Sequence, residues 1–169
     1  KEAGIELFVL DDGWFGQRND DHRGLGDWFV NKKKLPCGID GLAKQVNDIG
    51  MKFGLWFEPE MVNPDSDLYR AHPDWAVHVD ERIPIEIRQQ LVLDITKPEV
   101  RDYIVKVVSD VLANANIEYV KWDMNRQITD MPCLGYNHKY VLGFYDIMHR
   151  IVTTFPNILF EGCSSGGGR

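Results

Sequence analysis

The chain has 169 residues, 44% hydrophobic and 27% charged, an ordinary globular composition long enough to bury a sizeable core. A formal net charge of −7 argues against nucleic acid or an anionic membrane surface as partner, since both call for clustered Lys and Arg. No apolar run approaches the ~20 residues of a spanning helix, and the cysteines (Cys37, Cys133, Cys163) lack both even number and metal-ligand spacing, which fits a reducing cytoplasm.

In chain order, "KEAGIELFVLDD" reads as the tail of a helix, a Gly stop and a strand. The run "LFVLDDGW" (7–14) is the first of several apolar stretches that end in polar residues. A helix is expected at about Ile39–Ile49, with Leu42, Val46 and Ile49 on its apolar side and a stop at Gly50. The strand "FGLWFEPE" (53–60) follows, and then "LVLDIT" (91–96), which has the same form. A long helix from about Lys97 to Ala115 is announced by a Thr96–Glu99 capping box with Pro98 in its first turn. Its Val100, Tyr103, Ile104, Val107, Val108, Val111, Leu112 and Ala115 form one stripe. The strand "YVKWDMN" (119–125) precedes a helix at about Lys139–Thr153, whose apolar residues are Val141, Phe144, Tyr145, Met148, Ile151 and Val152. A last strand, "ILFEGCSS" (158–165), leads into "GGGR".

Alternating strands and helices, with near-continuous apolar strands, predict an α/β protein built on a parallel sheet. An open doubly wound sheet and a (β/α)8 TIM barrel compete. The barrel is favoured because several strands deliver polar residues at their C-terminal ends, where barrel active sites lie. Four or five strands make about half of the eight, so residues 1–169 are expected to be a single partial catalytic barrel domain cut from a longer protein.

The chemistry clusters at those strand ends. In "YVKWDMNR", alternation puts Tyr119, Lys121, Asp123 and Asn125 on one face and Val120, Trp122 and Met124 on the other. An aspartate beside an ammonium is held ionised, which suits a carboxylate nucleophile; a structural ion pair inside a barrel is the plainer alternative. The adjacent Asp11 and Asp12 of "LDDGW" match vicinal sugar hydroxyls, although they could also ligate a metal or simply begin a turn. "GLWFEPEM" contributes Trp56, Glu58 and Glu60, the indole being able to stack on a pyranose. Trp75 in "HPDW" is expected in the core, and Trp28 is either core or loop. Arg88 could donate to a hydroxyl or brace a carboxylate. The five histidines form no HxH or HExxH pattern, so a zinc site is not expected. Cys163, five residues and Arg169 have the spacing of a cysteine-phosphatase loop, but Glu161 and Gly162 stand where a histidine would precede the cysteine.

Taken together, "LDDGWF", "GLWFEPEMV", "HPDW", "LVLDIT", "KWDMNR" and "EGCSSGGGR", in this order, resemble the bacterial α-galactosidases of glycoside hydrolase family 36, the raffinose- and melibiose-hydrolysing type. The resemblance runs from Ile5 to Arg169 and implies a retaining α-galactosidase with a (β/α)8 catalytic barrel. It implies Asp123 as the nucleophile, with Lys121 and Asn125 binding sugar hydroxyls. Asp11 and Asp12 would hold the galactose 4- and 6-hydroxyls, Trp56 would line the pocket, and Arg88 would add a polar contact. Cys163 and Gly166 would wall the anomeric centre. The family's acid/base aspartate would lie beyond Arg169, as would a C-terminal β-domain, with a β-sandwich before the barrel. Glu86 and Ile87 depart from the glycine usual before Arg88.

The expected substrate is a small-molecule α-galactoside such as raffinose or melibiose, handled by a homo-oligomeric parent enzyme. No cofactor or metal is implied, because two carboxyl groups suffice for the chemistry. Lacking the second, the chain alone is expected to be inactive. A site accepting α-N-acetylgalactosamine, a non-catalytic sugar-binding piece and the phosphatase are the alternatives.

Overall fold

The computed structural model describes residues 1–164. Strand β1 (Leu7–Leu10) leads through a long loop to helix α1 (Gly38–Asp48). Helix α1 buries Ile39, Ala43 and Val46, and the chain turns at Gly50, where φ is +79° and a side chain would be strained. Strand β2 (Lys52–Phe57) is buried from Phe53 onward on both faces, as the interior strand of a parallel sheet should be. Next come β3 (Met61–Val62), the short α2 (Asp67–Ala71), a single 3-10 turn at Pro73–Trp75 and β4 (Leu91–Val92). Helix α3 (Pro98–Ala113), β5 (Tyr119–Trp122), α4 (Tyr136–Thr154) and β6 (Leu159–Gly162) complete the order.

Strands β1, β2, β5 and β6 form one sheet in that spatial order, every pairing parallel. Parallel neighbours require long crossovers, and each crossover here contains a helix: α1 from β1 to β2, α2 and α3 from β2 to β5, α4 from β5 to β6. This is the expected α/β architecture, a partial (β/α)8 barrel. Helices α3 and α4 lie against each other, and Val100, Ile104 and Val108 of α3 and Ile147 and Ile151 of α4 are fully buried in the common core. Each such side chain contributes roughly 1.5–3 kcal/mol of burial, an upper figure because the unfolded chain is itself partly collapsed. No described helix is long and apolar enough to cross a membrane.

Four local expectations change. The run 91–96 does not join the parallel sheet: Leu91 and Val92 pair antiparallel with Val62 and Met61 in a separate two-stranded ribbon. An apolar run states that a strand is buried, not which partner it finds. The capping box does not form either. Lys97 occupies the N-cap position without a side-chain cap, and the Thr96 hydroxyl donates to Asp94 Oδ1 at 2.6 Å. Ile49 lies past the end of α1 and is exposed. Helix α4 starts three residues earlier than expected, and its buried side is Tyr136, Tyr140, Gly143, Ile147 and Ile151, leaving Tyr145 and Val152 exposed. Gly143 explains the rotation: a Cβ there would stand 2.3 Å from the Ile95 carbonyl oxygen, so the helix makes its closest approach along its smallest residue.

Candidate active site

A parallel sheet brings the C-terminal ends of its strands to one edge, and each strand of this sheet is followed at once by a side chain able to carry chemistry. Asp11 follows β1, Glu58 follows β2, Asp123 follows β5 and Cys163 follows β6. The ladder carries on for one residue beyond two of these ends. Asp123 N–H donates to the Phe57 carbonyl at 2.7 Å, and Cys163 N–H to that of Trp122 at 2.8 Å. Backbone pairing thus fixes where both side chains start.

Asp123 is 5% exposed. Its Oδ2 accepts from Trp56 Nε1 at 3.0 Å and Asn125 Nδ2 at 2.8 Å, and its Oδ1 from the Met124 N–H at 2.8 Å. Burial alone would push the carboxyl up, but hydrogen bonds from Trp56, Cys163, Asn125 and Met124 outweigh it and hold Asp123 below the usual carboxylate range. Asp123 is therefore ionised at neutral pH, as anticipated, though by another route: the Lys121 ammonium makes its ion pair with Asp11, at 3.0 Å, reaching across β2. That hydrogen bond, followed by the charges of Asp11 and Asp123, raises the Lys121 pKa. On the same face, the Tyr119 hydroxyl donates to the Glu161 carboxylate, which with partial burial pushes Tyr119 up to about 12.

Asp12 is clamped by Arg18, a residue the sequence reading passed over. Arg18 Nε meets Asp12 Oδ1 at 2.9 Å and Nη2 meets Oδ2 at 2.7 Å, the bidentate fork that only a guanidinium offers. Arg18 is 4% exposed and also donates to Asn63 Oδ1 at 3.1 Å and the Arg23 carbonyl at 3.1 Å. A pocket of about 390 Å³ lies beside it, lined by Asp12, Gly13, Arg18, Asn19, Asp20 and Lys34. Asp11 and Asp12 are thus each held by a separate cation, Asp11 by Lys121 on the sheet and Asp12 by Arg18 beside the pocket. A separate cavity of about 630 Å³ between α1 and α3 holds none of these carboxylates.

Trp56 takes a different role from the expected stacking platform. It is 2% exposed, its ring lies against Phe15 and Trp28 at centroid distances of 6.2 and 6.1 Å, and its N–H serves Asp123. Trp28 proves to be core, and Trp75 is half-buried against it. Asn125 lies beside Asp123 as expected. Arg88 is exposed, on the tip of a tight turn with φ of +54°, and makes no described contact with Asp123. Gly166 lies outside the described residues, as does Arg169 of the Cys163 loop. The Cys163 thiol hydrogen-bonds Asp123.

Two further buried groups support the site. Glu58 is 1% exposed; its Oε1 accepts the Asn125 N–H and its Oε2 accepts Gln90 Nε2 at 3.2 Å. Burial, with the Asp123 charge adding to it against the Asn125 hydrogen bond, raises its carboxyl from 4.5 to about 7. Arg126 is buried and donates to the Ile85 and Gln90 carbonyls at 2.6 and 2.9 Å and to Thr129 Oγ1 at 2.6 Å, tying the loop before β4 to the loop after β5. Strand register marks Glu58, because it holds the same first position after its strand as Asp123. Arg18 carries no comparable signal. Among the described residues, no cluster of His, Cys, Asp and Glu has the geometry to hold a metal ion.

Comparison with known proteins agrees with this geometry. The Melibiase family model matches residues 1–169. The α-galactosidase AgaA of Geobacillus stearothermophilus is 58% identical over 99% of this chain, and its crystal structure superposes with a TM-score of 0.95. Variants of that enzyme solved with stachyose and with raffinose superpose with the same score, at 57% and 58% identity over 99% of this chain and 24% of theirs. The α-galactosidase Mel36A of Lactobacillus acidophilus is 50% identical over 100% of this chain. The chain spans about a quarter of these curated relatives, 24% of each. The sequence resemblance to glycoside hydrolase family 36 is therefore borne out, and the chain belongs to the Melibiase family.

Proposed function

We propose that this chain is the nucleophile-bearing part of a retaining α-galactosidase acting on galacto-oligosaccharides of the raffinose and stachyose kind. One observation carries the reading: a buried aspartate at a strand end is kept ionised by four hydrogen-bond donors, while a carboxylate pair with its own cationic partners stands across the same sheet edge. An ionised Asp123 attacks the anomeric carbon, forming a covalent glycosyl–enzyme that water then hydrolyses. Asp11, Lys121 and Asp12 offer acceptors and donors for the hydroxyls that set galactose apart from glucose. Retention also needs an acid/base carboxyl about 5–5.5 Å from the nucleophile. Glu58 does not fill that role despite its raised pKa, because it is buried with both oxygens engaged by Asn125 and Gln90. The acid/base group is assigned to sequence following Arg169, so the 169-residue chain by itself is expected to be inactive.

In the full-length polypeptide carrying this segment, Asp123→Asn should abolish turnover of 4-nitrophenyl α-galactoside with little loss of thermal stability. Near-parental rates in that variant, or hydrolysis by the isolated chain, would refute these assignments. The phosphatase reading is disfavoured because the Cys163 thiol hydrogen-bonds the buried Asp123 carboxylate, whereas reactive cysteines sit in electropositive settings.

A further inference from the structure

Asn63, the residue after β3, is fully buried and lies between two parts of the candidate sugar site. Its Oδ1 accepts from Arg18 Nη1 at 3.1 Å and from the Leu25 N–H at 2.8 Å. Its Nδ2 donates to the Gln89 carbonyl at 2.6 Å and the Asp21 carbonyl at 3.4 Å. Two donors meet the oxygen and two carbonyls meet the nitrogen, so the amide has one satisfied orientation and uses every bond it can make.

One side leads to Asp12 and the other to Arg88, the two residues that the α-galactoside reading assigns to sugar hydroxyls. On the oxygen side, Arg18 spends its other nitrogens on both oxygens of Asp12, so the torsion of that carboxylate is set by where the guanidinium is pinned. On the nitrogen side, Gln89 and its neighbour Arg88 sit at φ of +60° and +54° in a two-residue hairpin closed by Ile87 and Gln90 at 3.0 and 3.2 Å. Side-chain-bearing residues rarely adopt two successive left-handed positions, and they persist where surrounding contacts over-determine them. The Asn63–Gln89 bond is such a contact, placed on the peptide next to Arg88.

We propose that Asn63 is a positioning residue for sugar specificity, setting the orientation of Asp12 through Arg18 and that of Arg88 through the Gln89 carbonyl, so that the two act as one unit. This rests on the α-galactoside reading above. Neither contact touches Asp123 or its donors, so binding and hydroxyl selectivity depend on Asn63 while the chemical step does not.

The test uses the full-length polypeptide with 4-nitrophenyl α-galactoside and its 6-deoxy analogue. Asn63→Ala should raise KM for the galactoside by about tenfold or more, the size of losing one hydrogen bond to a charged group. Preference over the 6-deoxy analogue should shrink by a similar factor, with kcat and its pH profile close to the parent's. Arg88→Ala should raise KM too, and the double variant should be no worse than the poorer single one, because both remove the same unit. Should Asn63→Ala fail to fold, Asn63→Asp keeps the acceptor for Arg18 and Leu25 while losing donation to Gln89; it should retain the 6-hydroxyl preference, raise KM as Arg88→Ala does, and leave Arg88→Ala with no further effect in the same background. Independent, multiplying effects of Asn63 and Arg88, or a fall in kcat at unchanged KM and selectivity, overturn the proposal. An inactive parent instead overturns the underlying α-galactosidase reading.

Discussion

Replacing Trp56 with Phe removes a single interaction from the candidate nucleophile while keeping most of the ring that packs against Phe15 and Trp28. What is lost is the indole N–H, 3.0 Å from Asp123 Oδ2. The hydrogen bond from Trp14 to residue 56 survives, because it ends on the backbone carbonyl. A hydrogen bond to a charged group contributes about 1.5–3 kcal/mol. At 1.36 kcal/mol per pKa unit, the Asp123 pKa should rise by about 1–2 units. Asn125, Met124 and Cys163 continue to donate, which favours the lower end of that range.

The sign follows from which form the bond stabilises. The indole stabilises the carboxylate, so its loss makes Asp123 protonate at higher pH. At neutral pH Asp123 stays ionised, and the plateau rate should change little; the consequence belongs on the acid side. In the full-length polypeptide, the acid limb of kcat/KM for an activated aryl α-galactoside reports the free enzyme's essential base. It should move upward by about 1–2 pH units in Trp56→Phe. An acid limb left at the parental position would refute the argument that these donors hold the nucleophile ionised.

Two stability predictions come from other buried features. Glu58 titrates at about 7 when folded against 4.5 as a free side chain, so between those values the folded state holds a proton that the unfolded state has released. Stability from this group is therefore complete below about pH 4.5 and declines as pH rises toward 7, by about 3 kcal/mol in total. Glu58→Gln, neutral throughout, should flatten that slope in urea titrations run at about pH 5 and about pH 8, and an unaltered slope would count against a buried, protonated Glu58. At Gly143, where a Cβ would stand 2.3 Å from the Ile95 oxygen, alanine should cost about 1–3 kcal/mol. A calorimetric Tm drop of several degrees is expected, and an unchanged Tm would mean that α4 moves aside freely.

Much of the fold was legible because parallel strands buried on both faces have a simple signature. The apolar runs at 7–10, 53–57, 119–122 and 159–162 became the four sheet strands, and the helices between them fell within a few residues of expectation. Where the reading failed, it lacked tertiary information. Nothing in "LVLDIT" says that Leu91 will pair antiparallel with Val62 instead of extending the sheet. The apolar residues of α4 cover more than one side, and only the close approach of Gly143 to Ile95 selects between them. The Thr96 hydroxyl donates to Asp94 and Lys97 takes the N-cap position, so a valid capping pattern went unused.

The site divides along the same line. Asp11, Asp123 and Cys163 were legible because a parallel sheet converts "first residue after the strand" into shared location, and that rule needs no knowledge of side-chain contacts. The charge pairing was not legible. Lys121 and Asp123, two apart on one strand face, looked like natural partners. Asp123 lies past the last paired residue of β5, where the chain leaves the strand and its carboxylate is surrounded by Trp56, Asn125 and Cys163. The ammonium at 121, still inside the strand, is left facing across β2, where Asp11 carries the unmatched negative charge. The swap has a chemical consequence. Under the proposed mechanism, a nucleophile paired directly with a lysine would have its charge countered at the atom that must attack, whereas here four neutral donors contact the carboxylate and hold it ionised to meet a developing oxocarbenium ion. On the α-galactosidase reading proposed above, keeping Lys121 on Asp11 separates two tasks, with cations ordering the carboxylates assigned to hydroxyl binding and neutral hydrogen bonds readying the one assigned to attack.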